Sequence, residues 1–306
     1  LDALERAVSA QVLRRASKSS SSLPLVASKA PKAMPGISAW ALLAAAGAAA
    51  ATTAPFKLGL YGPMTSVDMS FAAAAVAADL DFAKNYDPSL VTRFGPPIVT
   101  VANLNTSLRL ELQIGNSASS TNVGVKSALG MFQGLFGYDT VQGLVGGYHS
   151  GISGPVANVI HLFEGVQVAW GSTSPALSND ALYPFFSRTM APDSIQGKCA
   201  WQTLRAFGVA KVAVWYQQDS YGSGLFQVVK SEATAANQPD RVAGVPYPYR
   251  IGADYDADLA KTSAQNLAQA QAKVVFLIAT RALSATMSAN FIEYPNLVQA
   301  QVIGSE

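Results

Sequence analysis

From Phe56 onward the chain alternates short runs rich in β-branched and aromatic residues with longer stretches of helical periodicity, and that alternation admits one class of architecture. Parallel strands need crossovers of about a dozen residues or more, and a helix provides the crossover while covering one face of the sheet. FKLGLYG (Phe56 to Gly62) is the first expected strand. An Ala-rich helix over Ser66 to Tyr86 follows, then an irregular link through Pro96, Pro97 and Asn103, a strand at Leu108 to Ile114, and a helix from Ser119 to Phe136. Further strands are expected at Val141 to Val145, Val166 to Trp170, Phe185 to Thr189, Ala210 to Gln217 and Lys273 to Thr280. Helices are expected over Gly154 to Phe163, Ser194 to Phe207, Tyr221 to Ala235 and Asp256 to Gln271. KVVFLIAT (Lys273 to Thr280) is apolar without a break, so both of its faces are expected to be covered. The expected fold class is therefore α/β: two mostly parallel sheets in series, each flanked by helices, joined near Tyr183 to Arg188, with a cleft between two lobes. Ligands of such sheets sit outside the carboxyl ends of the strands.

Four segments occupy those positions between Gly146 and Gly224: GGYHSG, WGSTSPALSND, FFSRTMAPDSIQG and DSYGSG. The first two are turns rich in Ser, Thr and Gly, which present hydroxyls and backbone N–H groups to a bound anion. The last two bring Asp193 and Tyr221 into similar turns. Hydroxyls, one acid and one phenol suit a zwitterion.

Composition removes several other functions. Net charge is +2 on 306 residues with 13% charged, and no Lys/Arg stripe with interleaved aromatics occurs, so nucleic acid is not an expected partner. The single cysteine, Cys199, excludes an internal disulfide, and no Cys/His set has zinc spacing. Neither metal nor cofactor is expected: GGYHSG lacks the third glycine of a dinucleotide fingerprint. Nor is it a nucleophile elbow, since Tyr148 stands where Ser150 would need a glycine and Pro155 where Ser153 would, so an enzyme is not expected. Cys199 is expected to be a buried thiol, because Ala200 and Leu204 accompany it in a helix, and His161 a surface or boundary residue.

The N-terminal part reads differently. Residues 1–33 carry Arg6, Arg14, Arg15, Lys18, Lys29 and Lys32 against Asp2 and Glu5, with serines at 19–22, and read as a leader or as translated sequence upstream of a start at Met34. Residues 34–55, uncharged and ending in small residues around Ala51 and Ala54, have the form of a cleaved secretory signal, an anchor helix being the alternative and a transit peptide a third.

The run from Gly143 to Ala233, with WGSTSPALSND, YPFFSRT and DSYGSG as its most specific pieces, resembles the type I periplasmic-binding-protein-like fold. Within that fold it resembles the receptor ligand-binding region of metabotropic glutamate and γ-aminobutyric acid receptors; bacterial branched-chain amino-acid-binding proteins are more distant relatives. The resemblance implies a secreted or extracellular two-lobed binder, with lobe 1 at 56–184 and lobe 2 at 185–306, that closes on an amino acid or similar small zwitterion. By the same resemblance Ser150 takes the ligand's α-carboxylate, Ser172 and Thr173 bind carboxylate and amine, Asp193 faces the ammonium, Tyr221 closes from lobe 2, and Glu306 is a further acid. Ser150, Ser172, Thr173 and Asp193 also suit helix N-caps, and Tyr221 plain packing. His149 and Gly151 stand where many members have serines, and no basic pair for a distal carboxylate is found in Gly62 to Leu108, so the resemblance does not extend to glutamate specificity. It further implies a C-terminally incomplete lobe 1, a membrane signalling domain of G-protein-coupled or other type after Glu306, and a homo- or heterodimer through lobe 1. A soluble solute-binding protein of a transport system and a non-binding structural relative are the alternatives. Asn105 opens an N-T-S glycosylation sequon.

Overall fold

A computed structural model describes residues 56–64, 69–84, 88–94, 110–248 and 256–305. The N-terminal segments at 1–33 and 34–55, the link through Pro96, Pro97 and Asn103, the Asn105 sequon and Glu306 lie outside the described residues. Among the described residues no helix is long and apolar enough to cross a membrane.

The strands are β1 (Phe56–Gly62), β2 (Leu110–Asn116), β3 (Gly143–Val145), β4 (Val166–Ala169), β5 (Phe186–Arg188), β6 (Val212–Gln217), β7 (Val242–Tyr247), β8 (Val274–Ile278) and β9 (Gln301–Gly304). The α-helices are α1 (Met69–Lys84), α2 (Pro88–Phe94), α3 (Thr121–Gln133), α4 (Ser150–His161), α5 (Asp193–Ala206), α6 (Ser220–Ala235), α7 (Ala257–Gln269), α8 (Arg281–Ala289) and α9 (Pro295–Val298). The first sheet runs β2-β1-β3-β4-β5 and the second β7-β6-β8-β9. Every pairing in both is parallel. The described residues fall into two compact units, one holding most of α1 and all of α2, the other both sheets and every element from β2 onward.

The second sheet shows why its strands read as continuous apolar runs. In β6, Val212 and Val214 pack toward Trp201 of α5 and Leu225 and Val229 of α6, while Ala213 and Trp215 pack on the opposite face with Ala260, Ala264 and Leu267 of α7. β8 alternates in register, with Phe276 on the first face and Val275 and Leu277 on the second. Each strand is thus buried on both sides, as period-2 geometry requires when helices cover both faces. On the α7 face Trp215 Nε1 donates to Ser263 Oγ at 2.8 Å, which donates to the Pro246 carbonyl at 2.8 Å.

Helix α4 begins at Ser150, a turn earlier than the Gly154 start read from the sequence. Pro155 then lies inside the helix and withholds the amide that would bond the Gly151 carbonyl, and Thr121 Oγ1 donates to that carbonyl instead, at 3.4 Å. The strand expected at Phe185 to Thr189 is the far edge of the first sheet, and the passage to the second sheet follows it.

Candidate functional site

Two turns at the carboxyl ends of β3 and β4 are laced together. Gly146 N–H donates to the Val168 carbonyl at 2.8 Å, and fully buried Gln167 donates through Nε2 to the Gly146 carbonyl at 2.8 Å. Ser172 Oγ lies 2.7 Å from Ser153 Oγ, and donates to the carbonyls of Gly147 and Tyr148 at 3.1 and 3.3 Å. Ser174 N–H donates to Ser150 Oγ at 3.1 Å. Arg188, at the end of β5, donates to the carbonyls of Ser172 and Ser174 at 3.3 and 2.8 Å and reaches Ser178 Oγ as well. Burial lowers the Arg188 pKa and the negative charge of Asp193 opposes that shift, so the guanidinium and the carboxylate are electrostatically linked.

Thr173 and Asp193 form a reciprocal pair. Thr173 Oγ1 donates to Asp193 Oδ2 at 3.0 Å while Asp193 N–H donates to the Thr173 carbonyl at 2.8 Å. Asp193 is 1% exposed.

The second sheet contributes a polar floor. Gln217, at the end of β6, donates through Nε2 to Asp219 Oδ2 at 2.7 Å and accepts from Thr280 N–H at 2.8 Å. Asp219 caps α6, its Oδ1 accepting from Tyr221 N–H at 3.0 Å and Gly222 N–H at 2.9 Å. Burial pushes its carboxyl pKa up, against those hydrogen bonds, which lower it. Tyr221, 6% exposed, donates its hydroxyl to Ser305 Oγ at 2.9 Å.

These pieces meet at one narrow cleft. Tyr148, His149 and Ser150 line it from the first sheet; Gln217, Asp219, Tyr221 and Thr280 line it from the second. Of the residues singled out in the sequence, Ser150 and Tyr221 face this space. Ser172 lies fully buried behind it, and Thr173 and Asp193 stand together outside its lining. Glu306 lies outside the described residues.

None of the four hydroxyl and acid residues is an N-cap: His149 caps α4, Pro192 precedes α5 and Ser174 opens the 3₁₀ turn Pro175–Ser178. Cys199 corrects the expectation of a buried thiol, because it is exposed. Helix α5 buries Gly197, Trp201 and Leu204, spaced four and three apart, which turns position 199 toward solvent. Asp219, Gln217, Thr280 and the ordering role of Arg188 were not read from the sequence. The rule that open sheets bind at the carboxyl ends of their strands, applied to β6 and β8, points to the first three.

His149 carries a measurable signature. Burial lowers its pKa to about 4. The unfolded chain takes up that proton near the ordinary value of about 6.5, so between the two pH values the unfolded state holds more protons and stability rises with pH. The contribution is complete above the unfolded value and is lost as pH falls toward 4, up to roughly 3 kcal/mol in all. Asp219 acts in the opposite sense, stabilising below its unfolded value and losing that contribution as pH rises through its raised folded value. Urea unfolding at pH 5 and pH 7 is expected to show lower stability at pH 5, with most of the difference removed in His149→Gln; an equal difference in the variant would show that His149 is not its source.

The family model described as the receptor family ligand binding region matches residues 99–294, well over half of the chain. The chain belongs to this family. The match supports a ligand-binding role. Among solved structures, a periplasmic binding protein from Burkholderia mallei superposes with a TM-score of 0.61 at 13% identity, over 82% of this chain. The chain spans 60% of that protein's length, and the likeness is one of fold.

Proposed function

We propose that this member of the family is the extracellular ligand-binding region of a receptor, that it takes an amino acid or similar small zwitterion in the cleft, and that it signals by closing its two lobes. The observation that carries this reading is that Ser150 from the first sheet and Tyr221 from the second line the same space. Ser150, at the N-terminus of α4, sits where the helix dipole and free amides favour a carboxylate. Thr173 and Asp193, paired outside the lining in this structure, are assigned to the ammonium on closure: a zwitterion withdrawn from water needs a counter-charge, because an unpaired buried charge costs several kcal/mol. Tyr221, at the start of α6, closes over the ligand. Lobe 1 at 56–184 and lobe 2 at 185–306, a signal or anchor at 34–55, and a membrane signalling partner complete the reading, with Glu306 a further acid for the ligand.

Closure has a contact point that substitution can reach. Ser220 Oγ donates to Ser174 Oγ at 3.3 Å, and a Cβ placed on Gly224 would lie 3.0 Å from Pro175 Cδ and 3.1 Å from Ser174 Oγ. Helix α6 thus meets the turn after β4 so closely that a side chain at position 224 would have to displace Pro175 or Ser174. Gly224→Val is expected to prop the halves apart and, by reducing the closed fraction to a tenth, to weaken binding about tenfold. Small-angle scattering with saturating amino acid is expected to show a smaller radius of gyration in the wild type and none of that change in Gly224→Val; a wild-type radius unaffected by a bound amino acid would overturn closure.

A further inference from the structure

Three consecutive carbonyls of the turn after β3 are held by side chains from β4 and the turn that follows it. Gln167 Nε2 donates to the Gly146 carbonyl at 2.8 Å, and Ser172 Oγ donates to those of Gly147 and Tyr148 at 3.1 and 3.3 Å. Gly146 N–H bonds the Val168 carbonyl at 2.8 Å, so this residue is fixed through both of its polar groups. Gln167 is fully buried, and its backbone stays in the sheet, its N–H donating to the Phe185 carbonyl at 2.9 Å. Its Oε1 is buried as well and has no hydrogen-bond partner among the described residues. The second sheet repeats the arrangement. Gln217, also fully buried, bonds Asp219 through Nε2 at 2.7 Å and accepts from Thr280 N–H at 2.8 Å, which ties the turn after β6 to the turn after β8.

We propose that Gln167 is a positioning residue for the ligand: through the Gly146 carbonyl it fixes the turn that presents Tyr148, His149 and Ser150 to the cleft, while itself standing behind the lining. The proposal rests on the reading of that cleft as the ligand site. A methionine of the same reach would fill this place in the core without burying an unpaired amide oxygen, so stability alone does not favour glutamine here. What the amide adds is one bond to a turn, strengthened by the low dielectric around it. The turn depends on such bonds because it begins with two glycines, Gly146 at a φ of +141°, which place no side chain in the core to anchor them. Hydrogen bonds to the carbonyls therefore decide where the next residues stand. Release of the Gly146 carbonyl acts three and four residues on, at His149 and Ser150.

Gln167→Met in the whole chain removes the donor and keeps the reach, and two readouts need no ligand. Burial holds the His149 pKa at about 4. In folded Gln167→Met its imidazole signal, followed by NMR against pH and assigned through His149→Gln, is expected to titrate closer to the ordinary value of about 6.5. In the wild type the Gln167 side-chain amide protons are expected to exchange with solvent at least about tenfold more slowly than those of free glutamine, a measurement that needs no variant. Calorimetry with the common amino acids gives the third readout. The affinity of the strongest binder is expected to fall about tenfold in Gln167→Met while the urea midpoint stays close to that of the wild type, because the freed carbonyl is offset by the loss of the unpaired oxygen. An unmoved His149 titration or wild-type affinity in the folded variant, or amide exchange as fast as that of free glutamine, overturns the positioning role. Failure of the folded wild type to bind any amino acid overturns the amino-acid reading instead, and the two ligand-free readouts still decide whether Gln167 holds the turn.

Discussion

Gly146→Ala is expected to destabilise the protein by about 4 kcal/mol, the combined effect of backbone strain and a clash that nothing can relieve. Gly146 holds φ at +141°, where L side chains are rarely found, and its added Cβ would stand 2.0 Å from the Tyr61 carbonyl oxygen and 2.8 Å from the carbonyl carbon. Those are backbone atoms of β1. Tyr61 itself is fully buried beside Met131 and Leu144, so the strand cannot retreat. For a unit of this size the melting temperature is expected to fall by about 10 °C or more. Gly137→Ala is the matched control, because Gly137 also has positive φ (+84°) but nothing lies within 4 Å of its Cβ position. That change is expected to cost about 1 kcal/mol. Equal losses in the two variants by thermal and urea unfolding would show that the approach to Tyr61 is not what requires glycine. The consequence reaches the cleft, because Gly146 opens the turn that delivers Tyr148, His149 and Ser150.

Asp193 is expected to show the largest effect on binding. Removal of its carboxylate in Asp193→Ala takes away the counter-charge assigned to the ligand's ammonium, the acceptor for Thr173 Oγ1 and the charge that faces Arg188. Loss of a charge-assisted contact in a desolvated site corresponds to about 3 kcal/mol, a fall in affinity of about a hundredfold or more. Stability is expected to fall as well, by about 2 kcal/mol, because the Thr173 hydroxyl is left without its acceptor. Asp193→Asn separates the two roles. Its amide oxygen still accepts from Thr173, so most of the stability is expected to return while affinity stays low. Recovery of affinity along with stability in the Asn variant would make Asp193 a structural residue and remove it from the ligand.

The fold was legible in the sequence wherever local pattern and tertiary burial agree. KVVFLIAT reads as a strand covered on both sides, and Val275 and Leu277 do point to one core while Phe276 and Ile278 point to the other. Agreement fails where a distant group decides the matter. Helix α4 starts at Ser150 with Pro155 inside it, and Thr121, 30 residues before Gly151, donates to the Gly151 carbonyl that the proline leaves without an amide. The site divides in the same way. Segment chemistry singles out Ser150 and Tyr221, and both line the cleft. It does not reveal that Ser172 is spent on Ser153 and the Gly147 carbonyl, contacts 19 and 25 residues away. Nor does it reveal that Gln217 links Asp219 to Thr280, 63 residues further on. A serine in a Gly-rich turn looks the same in sequence whether its hydroxyl faces ligand or lattice of the protein's own carbonyls. Cys199 is a different case, since the stripe of Gly197, Trp201 and Leu204 was present in the sequence and, followed by helical spacing, places the thiol outside.

Calorimetric titration of the folded chain with the common amino acids, in the wild type and in Ser150→Ala, Tyr221→Phe and the double variant, tests most directly whether the two sheets share one ligand. Saturable heat is expected for the wild type, with affinity weakened about tenfold in each single variant and more in the double. No heat with any amino acid, or wild-type affinity retained in both single variants, would contradict the account.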